Sequence, residues 1–359
     1  MPNAIRALVV DDSAFMRRAI KQMLESDREI EVVGVARDGR EGLRFAKELE
    51  PDVITLDIEM PEMDGLTALR FIMREAPTQV LMLSSLTTEG SVASLQALKL
   101  GAADVLAKDA SQFSANITKI QDRLLTVVRQ LGRSRNRRAA TATPKGSVPT
   151  PAAAGALPSF RRGQFDLVCI GASTGGPPVL ETILSSLPAA FDTPIVIAQH
   201  MPEVFTKSMA KRLDDLCGQR VVHAESGMPI HKGWVFLAPG GRHTHVEKTR
   251  LAHYHIRVGD DPETAVYRPS VDALLSSAAR ATASRSLGVV LTGIGDDGVN
   301  GARAIHAAGG TILHQSEPTC VVYGMPKAVA GANISTAALS PADVGRALAA
   351  LAGGTAAAA

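Results

Sequence analysis

Residues 165–177 read F-D-L-V-C-I-G-A-S-T-G-G-P: a short apolar run, a glycine-rich turn, and a proline that opens the next element. An unbroken apolar run of this length predicts a buried parallel strand, and proline after the turn predicts a helix start. The same strand-then-helix unit recurs in both directions. Downstream, P-I-V-I-A-Q-H (194–200), W-V-F-L-A-P (234–239) and L-G-V-V-L-T (287–292) read as strands, with helical spacing over 177–187, 204–217, 270–282 and 299–308. Upstream, A-L-V-V (7–10), V-V-G-V (32–35), V-I-T-L (53–56) and V-L-M-L (80–83) alternate with helical stretches such as 15–25 and 40–49. The alternation predicts an α/β protein with two doubly wound parallel-sheet domains, the first flavodoxin-like and the second Rossmann-like.

Between them, 132–164 loses the periodicity and reads as a flexible, basic linker rich in Pro and Ala. The expected organisation is therefore 1–131, a linker at 132–164, a second domain at 165–352 and a low-complexity tail at 353–359. A length of 359 residues fits two domains of ordinary size, and 45% hydrophobic with 21% charged residues is globular composition. No apolar run approaches the roughly 18 residues of a membrane helix, and the amino terminus lacks a signal peptide's order, so no membrane insertion is expected. Three scattered cysteines, Cys169, Cys217 and Cys320, do not make a disulfide framework and fit a reducing cytoplasm. Net charge is +2, yet 132–165 holds seven Lys or Arg and no acid, leaving 31 basic against 36 acidic residues elsewhere. Without aromatic interleaving or a helix motif, that stretch does not predict nucleic-acid binding.

Parallel topology gathers the residues at strand ends along one carboxyl edge, where such folds bind ligands. In the first domain these are Asp11 and Asp12 after the first strand, Asp57 after the third, Ser84 after the fourth and Lys108 after D-V-L-A-K. Singly, Asp-Asp is a helix cap and the lysine a solvated cation. Together, three close carboxylates call for a hard divalent cation such as Mg²⁺, with Asp57 able to attack a phosphoryl group, Lys108 balancing the product and Ser84 bonding its oxygens. In the second domain Ser173 sits in the turn of G-A-S-T-G, which reads either as a phosphate-binding loop or as a nucleophile turn. His200 ends Q-H after the next strand, and Asp296 and Asp297 follow L-T-G-I-G, so a hydroxyl, an imidazole and a carboxylate share one edge. The chain order Ser, His, Asp is not that of an α/β-hydrolase.

Residues 3–125, with D-D-S, D-I-E-M-P-E-M-D-G, S-S-L and A-K, resemble the response-regulator receiver family. The resemblance implies Asp57 as phosphoacceptor, Asp12 and Asp57 as side-chain Mg²⁺ ligands with the Glu59 carbonyl, and Asp11 in support. Asp109 stands where such domains usually carry proline after the lysine. G-A-S-T-G-G, Q-H-M-P and L-T-G-I-G-D-D-G, with R-P-S-V-D at 268–272, resemble the chemotaxis protein-glutamate methylesterase family, CheB. That resemblance implies Ser173 as nucleophile, His200 as base then acid, Asp297 as orienting carboxylate ahead of Asp296, Thr174 as a supporting hydroxyl and the Ile294 N–H as part of an oxyanion hole. Family members usually carry Met where Ile294 stands. It also implies methyl-ester hydrolysis and glutamine deamidation on methyl-accepting chemoreceptors in the cytoplasm, switched on by a chemotaxis histidine kinase, with no cofactor in the catalytic domain. A paralogue of a non-motility chemosensory pathway, a non-catalytic receiver-controlled binding module and a receiver-controlled nucleotide binder are the alternatives.

Two H-x-H pairs, His243/His245 and His253/His255, suit a hairpin. Four imidazoles can hold Zn²⁺ or Ni²⁺, but exposed hairpin histidines are the expectation. Trp234 and Cys169 are expected in the core.

Overall fold

The computed structural model describes residues 4–108, 117–141, 157–251 and 253–352. It divides into two compact units, Met1–Thr150 and Pro151–Ala359. The Lys108–Asp109 junction, the middle of the expected linker (142–156) and the tail lie outside the described residues.

In the first unit β1 (Ile5–Val10), α1 (Ala14–Glu25), β2 (Ile30–Ala36), α2 (Gly39–Leu49), β3 (Val53–Asp57), α3 (Gly65–Glu75), β4 (Gln79–Ser85), α4 (Thr88–Lys99), β5 (Asp104–Lys108) and α5 (Ile117–Thr141) alternate. The strands form one parallel sheet in the order β2-β1-β3-β4-β5. Every residue of β3 is buried, because helices cover both faces of such a sheet. Helix starts are set locally: Ser13, Asp38, Asp64 and Thr87 each accept a backbone N–H from the first turn of α1 to α4. Strand order reverses at β1, which opens a crevice between the carboxyl ends of β1 and β3.

The expected break at Gly132 is absent, since α5 runs on to Thr141. Gly132 permits close packing rather than ending the helix: a Cβ there would lie 2.5 Å from Ile5 Cγ2. Arg133 pairs with Glu29 at 2.5 Å, and Arg135 donates to Thr78 Oγ1 at 2.6 Å and to the Pro51 carbonyl. Part of the basic run thus fastens a helix. At the far end, Phe160 is buried edge-on against Phe165 with centroids 5.2 Å apart, and Arg162 pairs with Asp192 at 2.8 Å. The second unit is therefore entered before residue 165.

That unit contains β6 (Leu167–Ala172), α6 (Gly176–Ser185), β7 (Ile195–Gln199), α7 (Glu203–Leu216), β8 (Arg220–His223), β9 (Trp234–Leu237), β10 (His243–Lys248), β11 (Tyr254–Gly259), α8 (Val271–Thr282), β12 (Ser286–Val290), α9 (Val299–Ala307), β13 (Thr311–Gln315), α10 (Met325–Gly331), β14 (Ala337–Leu339) and α11 (Pro341–Ala349). Seven strands pair in parallel in the order β14-β13-β12-β6-β7-β9-β8, reversing at β6. The antiparallel β10–β11 hairpin packs on α8, with Val246 and Ile256 in the core and Val246 N donating to Ser277 Oγ at 3.0 Å. Cys169 is fully buried as expected, whereas Trp234 is only half-buried, beneath the Arg220 guanidinium. Among the described residues, no helix is long and apolar enough to cross a membrane.

Candidate functional sites

At the carboxyl edge of the first sheet, Asp11 and Asp57 are buried and Asp12 is exposed, with one oxygen of each within 4.8 Å of the others. Lys108 Nζ lies 2.6 Å from Asp57 Oδ1 and 3.3 Å from Asp11 Oδ2. Burial pushes the Asp57 carboxyl up to about 6; Lys108 opposes this, Asp11 adds to it and a backbone bond from Glu59 opposes it again. One lysine cannot offset three carboxylates, and an all-oxygen set of this span suits a hard divalent cation. The residues fit Mg²⁺. Gly65 lets the following loop fold back, because a Cβ there would sit 2.0 Å from the Asp57 carbonyl. The Glu59 carboxylate accepts from Ser85 Oγ at 3.1 Å. Ser84 is buried, but its hydroxyl donates to the Gly90 carbonyl at 3.0 Å, toward α4 rather than Asp57.

In the second unit Ser173 leaves β6 at the point where strand order reverses. Its N–H donates to the Thr292 carbonyl at 3.0 Å, and its own carbonyl accepts from Gly176 N at 2.8 Å and Gln199 Nε2 at 2.9 Å. Gly175 takes φ 78°, where a Cβ would strike Val321 at 2.5 Å, so the turn needs glycine. His200 N donates to the Ala172 carbonyl at 3.0 Å, which sets the His200 backbone beside the turn. Its Nε2 is 2.8 Å from Asp297 Oδ2, while Nδ1 is buried without a partner. A carboxylate only accepts, so the ring proton lies on Nε2 and Nδ1 is the basic nitrogen.

Asp297 also receives donors from the start of α8. Oδ2 accepts from Val271 N at 2.7 Å, and Oδ1 from Asp272 N at 2.9 Å and Ser270 Oγ at 3.0 Å. Burial raises its pKa, but the His200 bond and charge and the two helix amides outweigh this and hold it below the usual carboxylate value. Asp272 returns the arrangement, accepting from Gly298 N at 2.9 Å and Gly301 N at 2.7 Å at the start of α9. Two acids thus cap each other's helices. Asp296 is exposed and takes no part in this set.

The loop after β12 is pressed against the serine. A Cβ on Gly293 would lie 2.7 Å from Ser173 Cβ, and Gly293 is held by Val322, Gly324 and Met325 through backbone bonds of 3.0–3.1 Å. Ile294, the next residue, is buried. Thr174 is buried in the same turn, and its carbonyl accepts from Thr292 Oγ1 at 2.9 Å. Sequence reasoning missed Tyr267, whose ring stacks on His200, and gave Ser270 and Asp272 no role. A serine before a helical stretch was the available signal for the Ser270 cap.

The hairpin histidines depart from expectation. His243 and His245 are buried, not exposed, because the hairpin lies on α8, and His243 Nδ1 accepts from Ser270 N at 3.1 Å. They do not gather a metal site: among the described residues, Asp11, Asp12 and Asp57 form the only group of three or more His, Cys, Asp or Glu donors close enough to share an ion.

Residues 168–348 match the family model for CheB methylesterase, and residues 7–118 that for the response regulator receiver domain. A protein-glutamate methylesterase/protein-glutamine glutaminase of Nitratidesulfovibrio vulgaris is 46% identical over 352 residues, 92% of this chain and 95% of that protein. One from Oleidesulfovibrio alaskensis is 45% identical over 364 residues, covering 96% and 98%. Among solved structures, the Thermotoga maritima CheB methylesterase catalytic domain is similar with 37% identity and a TM-score of 0.51, covering 52% of this chain and 98% of that one.

Proposed function

The chain belongs to the CheB methylesterase family and carries a response regulator receiver domain, and from that premise we propose that it is a phosphorylation-activated protein-glutamate methylesterase and glutamine deamidase of chemotaxis, acting on methyl-accepting chemoreceptors in the cytoplasm. The 2.8 Å bond from His200 Nε2 to Asp297, which leaves Nδ1 as a buried base beside the Ser173 turn, carries the reading.

Ser173 Oγ attacks the γ-carbonyl carbon of the methylated glutamate as His200 Nδ1 takes its proton. The oxyanion forms beside the Gly293–Ile294 backbone, where the Ile294 N–H donates to it. Asp297 stays ionised, holds the Nε2–H tautomer and stabilises the imidazolium. Collapse breaks the ester C–O bond, and His200 returns the proton to the departing methoxide, giving methanol. Water, deprotonated by His200, then attacks the acyl-serine carbonyl, the bond to Ser173 Oγ breaks, and His200 returns the proton to that oxygen as glutamate leaves. With a glutamine side chain the leaving group is ammonia and every other step is unchanged. Thr174 supports the histidine from the same turn.

In the receiver, Asp57 attacks the phosphorus of a phosphohistidine on the partner kinase, and Lys108 offsets the charge of the acyl phosphate. Asp11, Asp12 and Asp57, with the Glu59 carbonyl, would hold Mg²⁺, which when bound supplies the charge neutralisation that phosphoryl transfer needs. Ser84 would have to turn from Gly90 to reach the phosphoryl oxygens. We assign the receiver to the first unit and the esterase to the second.

Release of labelled methanol from methylated receptor, with and without a small phosphodonor, tests the reading. The phosphodonor should raise the rate and Ser173→Ala should abolish release while the protein stays folded. Undiminished release from Ser173→Ala, or release that requires a nucleotide, would overturn it.

A further inference from the structure

Tyr267 lies with its ring on the His200 imidazole, centroids 4.3 Å apart and planes within 9°. The same ring borders the loop after β12, since a Cβ on Gly295 would meet Tyr267 Oη at 3.4 Å and Cζ at 4.0 Å. One flank of Tyr267 is fixed: the Arg268 carbonyl accepts from Gly241 N at 3.1 Å, and Pro269 and Ser270 are buried on the way into α8. The other flank is solvent-facing, with residues 260–264 exposed and Val266 at 88%.

A hydrogen bond at Nε2 fixes one point of the imidazole, and Nδ1 has no bond to fix a second. The ring can still rotate about that bond unless something sets its plane. A parallel aromatic face does so. It also acts unequally along the reaction, because a neutral imidazole gains only stacking from the tyrosine whereas the imidazolium formed on proton transfer gains a cation–π attraction. An interaction that strengthens only as charge develops raises kcat and leaves KM unchanged.

We propose that Tyr267 is a positioning residue for this hydrolase, one that sets the plane of His200 and favours its protonated form. The inference rests on His200 acting as the base. The test uses the full-length chain, a small fluorophosphonate that labels Ser173 without receptor docking, and kcat and KM for methanol release. Tyr267→Leu should slow labelling and lower kcat about tenfold with KM unchanged, and Tyr267→Phe should restore both. Tyr267→Gln, a flat polar side chain for a half-exposed site, should repeat the loss and serves if Tyr267→Leu folds poorly. Wild-type labelling by Tyr267→Leu and Tyr267→Gln, a loss confined to KM, or a Tyr267→Phe as slow as Tyr267→Leu would each overturn the role. Labelling that depends on His200 but not on Tyr267 overturns this role alone. Labelling indifferent to His200→Gln overturns the base assignment as well.

Discussion

Replacing Asp297 by Asn tests the catalytic and the structural reading of one carboxylate together. Oδ2 accepts from His200 Nε2 and Val271 N, and Oδ1 from Ser270 Oγ and Asp272 N. An amide has one accepting oxygen. If its NH₂ takes the Oδ2 place it faces the Val271 N–H, and His200 must move its proton to Nδ1, which removes the base. If it takes the Oδ1 place, the Ser270 hydroxyl can turn to accept but the Asp272 N–H cannot. Either way one amide of α8 is orphaned, at about 1–3 kcal/mol, and the negative charge at the helix start is lost, at about 0.3–1 kcal/mol. We therefore expect Asp297→Asn to lose about 1–4 kcal/mol of stability, which a domain of ordinary stability survives, and about three to four orders of magnitude in methanol release. Urea unfolding of the catalytic unit and methanol kinetics at saturating receptor measure the two losses. Asp296→Asn, at an exposed position, should change either by no more than about twofold. Turnover above about a tenth of wild type for Asp297→Asn, or an unchanged urea midpoint, would refute the reasoning.

Asp57→Asn should abolish acid-labile phosphorylation; retained phosphate would move the acceptor elsewhere. Because the Asp57 pKa is raised to about 6, its protonated form competes with the metal as pH falls, so apparent Mg²⁺ affinity should be steady above that pH and drop by up to about tenfold per unit below it. An Mg²⁺ titration at several pH values checks this. Gly293→Ala would bring a methyl within 2.7 Å of Ser173 Cβ, so kcat should fall by about one to two orders of magnitude with KM little changed. A catalytic fragment covering 157–352 should be more stable to urea than one covering 165–352 by about 2–3 kcal/mol, the worth of burying Phe160.

The fold was legible wherever a strand is buried on both faces. The runs quoted for β1 to β5, β6, β7, β9 and β12 coincide with observed strands to within a few residues. The strands left unread carry other signals. Edge strands β8 and β14 have a single neighbour and mixed burial and are only four and three residues long, too short to show a periodicity. In β13 the polar His314 and Gln315 are buried because Ser335 Oγ and Thr292 N satisfy them, which periodicity does not reveal. The misread linker start has the same origin: Gly132 looks like a breaker until Ile5 stands against it. At the site, Ser173 and His200 were readable because each directly follows a strand, and Asp297 because it lies in the glycine-rich loop after one, whereas the Tyr267 stack and the exchange between Asp297 and Asp272 exist only once distant segments meet.

The side chains of the proposed triad are unequally woven into the protein. The Ser173 fastenings run through its backbone N–H and carbonyl, so its hydroxyl can be deleted while the turn keeps its bonds. Asp297 anchors the start of α8 as well as the imidazole, and Asp272 answers it at α9. A descendant of this chain that abandoned the reaction but kept the scaffold would therefore shed the serine first and retain the aspartate, so a surviving aspartate in such a relative would testify to inherited architecture and not to catalysis.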